Sequence, residues 1–295
     1  MGKRKIGVVV VCYNEGKIIA PTLNVYIGYD SISHIIVVDN GSTDDTPRYF
    51  NEIKSEKVEI IYTGVDNGYA RGNNIGLEYL YKELHCEYAV ITQPDVFFEE
   101  NVIITLAKKI DENKNYAILT SSRIDPMDKA PQLQYVTRRP ETFWLQFVTY
   151  FAFLRRKCFL NKYGAYTFDK SNDSIIDIAE SPGAFFMIQL NVFDKIGGYF
   201  DPGTFLYNEE SMLAIRVTRV GMKIGYLSNV IYEHRHTQHS VTKNGVSMKV
   251  IKWGLESKKY FQDHYLHFNP LQKFILHLAE RMSIIERFFI SKLRK

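Results

Sequence analysis

Residues 6–12, "IGVVVVC", decide the fold. The run is apolar and β-branched at consecutive positions rather than at every second one, the pattern of a strand covered on both faces and parallel to its neighbours. A polar turn, "YNEGK", follows, then a helical stretch over 18–29. "HIIVVD" at 34–39 repeats the strand pattern, and "NGSTDDTP" after it reads as a loop and helix start, with Ser42 and Asp45 in capping-box spacing. "VEIIYTG" at 58–64 predicts a third strand, and "NGYARGNNIGLEYLYKEL" a glycine/asparagine loop that becomes a helix. "EYAVITQPD" predicts a fourth strand, "ENVIITLAKKIDEN" an amphipathic helix, and "YAILTS" a further strand. This alternation predicts a doubly wound α/β domain with a mostly parallel sheet. Ligands of such sheets sit beyond the carboxyl ends of the strands. Asp39 and Asp95 each follow such an end, which places them on one rim.

Composition bounds what sits on that rim. The chain has 295 residues, 45% hydrophobic and 24% charged, enough for one large domain or two closely joined ones. The net charge of +4 is unevenly spread: residues 241–295 carry +7 and residues 1–240 carry −3. A basic tail favours a phosphate-bearing or anionic-lipid partner, and no nucleic-acid motif accompanies it. Cys12, Cys86 and Cys158 are odd in number and widely spaced, which reads as a reduced, cytoplasmic protein. The basic start and short apolar run at the N-terminus do not make a signal peptide, and no stretch approaches the ~18–20 apolar residues of a membrane span.

Beyond residue 122 the pattern loosens. "RRPETFWLQFVTYFAFLRRKCFL" reads either as a core helix or as a membrane- or acceptor-facing segment, because aromatic and basic residues together suit an interface. "AESPGAFFMIQLNVFDKIGGYF" gives a turn, a strand, a helix and a Gly-Gly turn, and "FLYNEESMLAIRVTRVGMKIGYLSN" an acidic loop, a helix and a strand. From Pro270 the apolar residues Leu271, Phe274, Ile275, Leu278, Met282, Ile285 and Phe289 recur at helical spacing beside basic ones. That helix either docks on the protein or lies on an anionic membrane surface. The glycines at 68, 72 and 76 do not match a dinucleotide fingerprint, and no P-loop is present in the sequence.

With "VVVVCYNEGK", "IIVVDNGSTDDT", "DNGYARGNNIGL", "TQPDV", "SPGAFFMIQLNVFDKIGGYFD", "FLYNEES", Arg216, Gly221 and "HRHTQHS" in this order over about 1–240, the chain resembles an inverting nucleotide-sugar glycosyltransferase. The resemblance is to the GT-A fold, family 2, in its rhamnosyltransferase-like branch. It implies a Rossmann-like catalytic domain over 1–240 with a basic helical tail over 241–295. It also implies transfer of rhamnose or another hexose from a UDP- or dTDP-sugar to a hydroxyl of a surface glycan, on a lipid-linked acceptor at the inner face of the cell membrane. Asn14 and Glu15 would line the nucleotide pocket, and Asp39 would accept from the base N3–H, unless it only forms an Asx turn before Gly41. Asn67, Arg71 and Asn74 would hold base and phosphates, and Gly183 would let the backbone pass close to the sugar. Asp95, with His236 or else His234, would bind Mg²⁺ or Mn²⁺, since one carboxylate, water and phosphate oxygens can fill the shell. Glu210, or Glu209 beside it, would be the base that takes the acceptor proton. Gln93 and Glu210 stand where the family commonly has acid and aspartate, which leaves open a non-catalytic nucleotide-sugar-binding or scaffold subunit.

Overall fold

The structure is a computed structural model describing residues 4–124, 126, 141–151, 154, 174–235 and 248–293. In chain order the elements are β1 (Ile6–Cys12), α1 (Gly16–Ile27), β2 (Ile32–Asp39), α2 (Thr46–Asn51), β3 (Val58–Tyr62) and α3 (Gly68–Glu78), which runs into a π turn at Tyr79–Glu83. Then come β4 (Tyr88–Thr92), β5 (Val96–Phe98), α4 (Glu100–Glu112), β6 (Tyr116–Ile124), α5 (Phe143–Val148), β7 (Ile176–Ile178) and β8 (Phe185–Gln189). The chain continues through α6 (Val192–Ile196), α7 (Glu209–Arg219), β9 (Lys223–His234), α8 (Met248–His264) and α9 (Pro270–Leu293).

The opening strand sits where its composition predicts. β1 lies between β2 and β4 and is parallel to both. Its alternate side chains feed two cores. Val8, Val10 and Cys12 pack with α1 and α4 through Ile19, Leu23 and Leu106, while Val9 packs with α3 and α7 through Leu77 and Leu213. Each such buried side chain contributes about 1.5–3 kcal/mol relative to exposure.

The nine strands of the described residues form one sheet in the order β3-β2-β1-β4-β8-β6-β9-β5, with β7 also on β9. The sheet is mixed rather than mostly parallel: β8 is antiparallel to β4 and β6, and β5 and β7 are antiparallel to β9. Parallel pairing runs unbroken through β3, β2, β1 and β4, and returns only between β6 and β9. Hydrophobic pattern alone does not encode direction. The consequence for the site is direct. Because β8 opposes β4, with Thr92 beside Phe185, the start of β8 meets the carboxyl end of β4.

The stretch expected to begin as a loop at 67 is helical from Gly68 onward. A Cβ on Gly72 would stand 2.7 Å from a methyl of Val11, and one on Gly76 2.6 Å from a methyl of Val9. The glycines at four-residue spacing are therefore the face by which α3 presses on β1.

The C-terminal helix docks by one face. Leu276 and Ala279 bury against Tyr150, ringed by Phe143, Phe147, Leu255 and Phe268. The described part of the aromatic-basic segment is thus helix packed against helix, and the rest of it, with Cys158, lies outside the described residues. Among the described residues no helix is long and apolar enough to cross a membrane.

Candidate active site

β2 ends in Asp39, buried to 2% exposure. Its Oδ1 accepts from the backbone amide of Ser42 at 2.9 Å, so the Asx-type turn before Gly41 forms. Opposite it, Asn14 adopts φ 59° and its Oδ1 accepts from the amides of Thr43 and Asp44. Asn14 thereby ties the loop after β1 to the loop after β2. Glu15 follows it, and burial pushes its carboxyl up to about 7, opposed by a backbone hydrogen bond at Tyr13 and reinforced by the charge of Asp95.

The expected capping box at Ser42 and Asp45 is not made. The Ser42 hydroxyl accepts from the amide of Asn14, 28 residues away, and Asp44 rather than Asp45 accepts from Thr46 N at 2.9 Å.

Gln93, Pro94 and Asp95 make the turn from β4 to β5. Gln93 donates its amide to Ala184 O, and Thr22 donates its hydroxyl to Pro94 O. The proline has no N–H to continue the ladder, so the strand stops there and Asp95 stands at the rim. His234, at the end of β9, lies with Nε2 3.1 Å from Asp95 Oδ1, and Arg235 N donates to Asp95 O. β9 brings His234 opposite Val96. Of the two histidines expected near Asp95, His234 is there; His236 lies outside the described residues.

On the other side of the same rim stand the paired acids. Glu209 is buried to 1% and accepts from the Thr204 hydroxyl at 3.1 Å. Burial pushes its carboxyl well above the ordinary range. Glu210 is half-exposed, and its carboxylate lies over Gly183: a Cβ at 183 would come within 1.7 Å of Glu210 Oε1. Gly183 thus makes room for the acid. Tyr69 donates its hydroxyl to Gly183 O at 2.7 Å, and burial with the charges of Glu210 and Glu209 raises its phenol.

The loop carrying the acids is held from several sides. Tyr207 and Asn208 both have positive φ, 80° and 70°. Asp201 accepts from Gly203 N, Tyr260 OH and Tyr265 OH, and Phe205 lies against Trp253 with ring centroids 4.3 Å apart. Helix α8 therefore braces this loop. Arg216 donates to the backbone carbonyls of Ile196, Gly198 and Tyr199 and locks the Gly-Gly turn before it.

Of the three residues expected on base and phosphates, Asn67 precedes α3, its amide donating to Asn40 Oδ1. Arg71 is exposed on α3. Asn74 turns its amide to Phe200, donating to its carbonyl and accepting from its N–H, both at 2.9 Å.

Three further groups escaped the sequence reading. Asn40 is buried and donates to Asp66 Oδ1 and Gly68 O, fixing the start of α3. Tyr69 joins that helix to the acids. Glu180 is buried and accepts from Ser211 Oγ at 2.5 Å, on α7 next to Glu210. Each lies beside a segment quoted for another reason, and only Glu180, a lone acid before Ser-Pro-Gly, carried a visible signal.

The raised acids give a pH dependence with a definite sign. A carboxyl whose folded pKa exceeds its unfolded value adds stability that is full below about 4.5 and is lost as pH rises through about 7. In chelator, denaturant unfolding is expected to show a loss of about 1–3 kcal/mol for Glu15 between those limits, on the scale of about 1.4 kcal/mol per pKa unit. Glu15→Gln is expected to flatten that part of the profile; an unchanged slope rejects the assignment.

A mixed α/β sheet flanked by helices, with an acid–histidine pair and a pair of acids at its rim, defines a class of architecture, the GT-A-like fold. The fold aligns with GalNAc-T7 solved with UDP, GalNAc and Mn²⁺ at a TM-score of 0.61 and 11% identity, over 93% of this chain and 55% of that one. It aligns with the mannosyltransferase PcManGT from Pyrobaculum calidifontis, in complex with GDP-Man and Mn²⁺, at 0.55 and 16%, over 97% and 74%. The chain belongs to glycosyl transferase family 2, whose family model matches residues 7–195. It is 26% identical to the low-salt glycan biosynthesis hexosyltransferase Agl10 of Haloferax volcanii over 220 residues, 75% of this chain and 64% of that protein's length. It is 24% identical to the rhamnosyltransferase WbbL of Escherichia coli strain K12 over 251 residues, 76% of this chain and 90% of that one.

Proposed function

We infer that this chain transfers rhamnose or another hexose, with inversion, from a UDP- or dTDP-sugar to a hydroxyl of a surface-glycan acceptor. The acceptor is lipid-linked and met at the cytoplasmic face of a membrane that the protein touches peripherally. The arrangement of the two acids carries the reading. Glu209 is buried under Thr204, whereas Glu210 reaches over Gly183 toward the rim where Asp95 and His234 stand.

In this reaction the acceptor oxygen forms its bond to the anomeric carbon as the bond from that carbon to the diphosphate oxygen breaks. The acceptor proton passes to Glu210, and the nucleoside diphosphate leaves with the electron pair. A carboxylate within hydrogen-bond reach suffices for that proton transfer. Asp39, at the base end of the cleft, accepts from the pyrimidine N3–H. Asn14 and Asn67 fix the loops that line it. Over 1–240 the chain forms the catalytic unit, and 241–295 the basic helical tail.

The donor set fits a divalent cation. Asp95 Oδ1 and His234 Nε2 offer one carboxylate oxygen and one imidazole nitrogen 3.1 Å apart, a mixed set that suits Mn²⁺ as well as Mg²⁺. Among the described residues no cluster of three or more such side chains occurs; water and diphosphate oxygens would complete the shell. When bound, the ion neutralises charge on the leaving diphosphate. The test is nucleoside diphosphate release from UDP-, dTDP- and GDP-sugars with Mg²⁺, Mn²⁺ or chelator and a lipid-linked acceptor fraction. Release from one pyrimidine donor, dependent on metal, is expected. Donor binding without release in the presence of competent acceptor rejects the transferase reading.

A further inference from the structure

Helix α9 has two apolar faces, and only one is used. The docked face carries Leu276, Ala279 and Ser283, all buried against α5 and α8. The other carries Leu271, Phe274, Leu278, Met282 and Ile285, each between 49% and 67% exposed. Their spacing of three or four residues puts them on one continuous stripe along the helix. A core-docking helix has no need of a second stripe, and exposed apolar surface of this length marks an interaction site.

The neighbours of the stripe say what covers it. Lys273, His277 and Arg281 recur every four residues along one flank and are exposed. The acids of the same stretch, Glu280 and Glu286, are half-buried toward the docked side; Glu280 approaches His277 at 3.7 Å and Asp263 approaches Lys273 at 3.9 Å. Lys292, Arg294 and Lys295 continue the positive charge in sequence. Trp144, 70% exposed, stands beside the start of the helix, linked by ring contacts through Phe143 to Phe268. An apolar stripe, a cationic flank and an indole at one end are the parts of a helix that lies in a lipid interface. Among the described residues of α9 no exposed acid lines the stripe, and the exposed Asp263 of α8 is already paired with Lys259 and Lys273, so a second copy of this face offers the flank little opposite charge.

We propose that the Leu271–Ile285 stripe of α9, with Trp144 at its end, seats the protein on an anionic lipid surface. This deepens the membrane contact in the function inferred above, but it rests on the faces of α9 and on no residue of the cleft. Seated this way, the bilayer meets α9, which packs on the helix α8 that braces the acidic loop.

The experiment is flotation of the full chain with vesicles of phosphatidylcholine alone or with about 30% phosphatidylglycerol, an anionic surface that attracts basic segments. The wild type is expected to co-float with anionic vesicles about tenfold better than with neutral ones, and less so at about 0.5 M salt, where the Debye length is a few ångströms. Phe274→Ser with Leu278→Ser is expected to lower flotation on both vesicle types about tenfold. Lys273→Gln with Arg281→Gln is expected to erase the anionic preference alone. Both pairs are exposed, and unchanged circular dichroism checks their folding. Flotation needs no turnover, so a failed transferase assay leaves it readable. The proposal is overturned if the wild type stays with the bulk solution, or if the serine pair floats like the wild type. It is equally overturned if the serine pair turns a dimer into monomers without changing flotation.

Discussion

Glu210→Gln is expected to lower kcat for sugar transfer by about a hundred- to ten-thousand-fold, the range a positioned general base contributes. The substitution keeps size and shape, so the space over Gly183 stays filled and the donor pocket is untouched. Donor KM is therefore expected to hold while kcat falls, the mark of an interaction made in the transition state. Glu209→Gln serves as the contrast. Its carboxyl is buried and capped by Thr204, so its effect should fall on stability and much less on kcat. Initial rates of nucleoside diphosphate release for both variants decide the matter. Near-normal kcat in Glu210→Gln means that the proton goes elsewhere.

Asp95→Asn is expected to cost about a hundredfold or more in kcat/KM, because a divalent ion supplies several kcal/mol to charge on a leaving phosphoryl oxygen. In the proposed site the amide removes the charge that would balance a cation but keeps an oxygen near His234. Raising Mn²⁺ should therefore recover part of the loss, and the concentration giving half-maximal rate should rise. A variant with a wild-type response to Mn²⁺ would place the ion away from Asp95.

Much of this molecule is legible in single residues. The unbroken apolar run of β1 states that both faces are covered, and Val8 and Val9 enter opposite cores. Asp39 and Asp95 are readable as rim residues because the first ends an apolar strand and the second stands in the turn just after one. What escapes the sequence depends on distant partners. Ser42 looks like a helix cap, yet its hydroxyl is taken by Asn14. The glycines of "GYARGNNIG" look like a loop until β1 is laid beneath them. Gly183 acquires its meaning from Glu210, a contact 27 positions away that no local pattern announces. Sheet direction escapes for the same reason, since β8 reaches its place beside β4 without a helical crossover to fix its sense.

The left-handed pair Tyr207–Asn208 has one more consequence. Non-glycine residues in that region cost of order 1–3 kcal/mol each, and they persist where their surroundings over-determine them. Their loop is held through Phe205 and Asp201 by Trp253 and Tyr260 on α8 and by Tyr265 just after it, beyond the family match that ends at residue 195. A chimera joined near residue 195 would take the acidic loop and its helical brace together from one parent, but would part them from Gly183, Tyr69 and Asn74, which meet that loop from the other side of the seam.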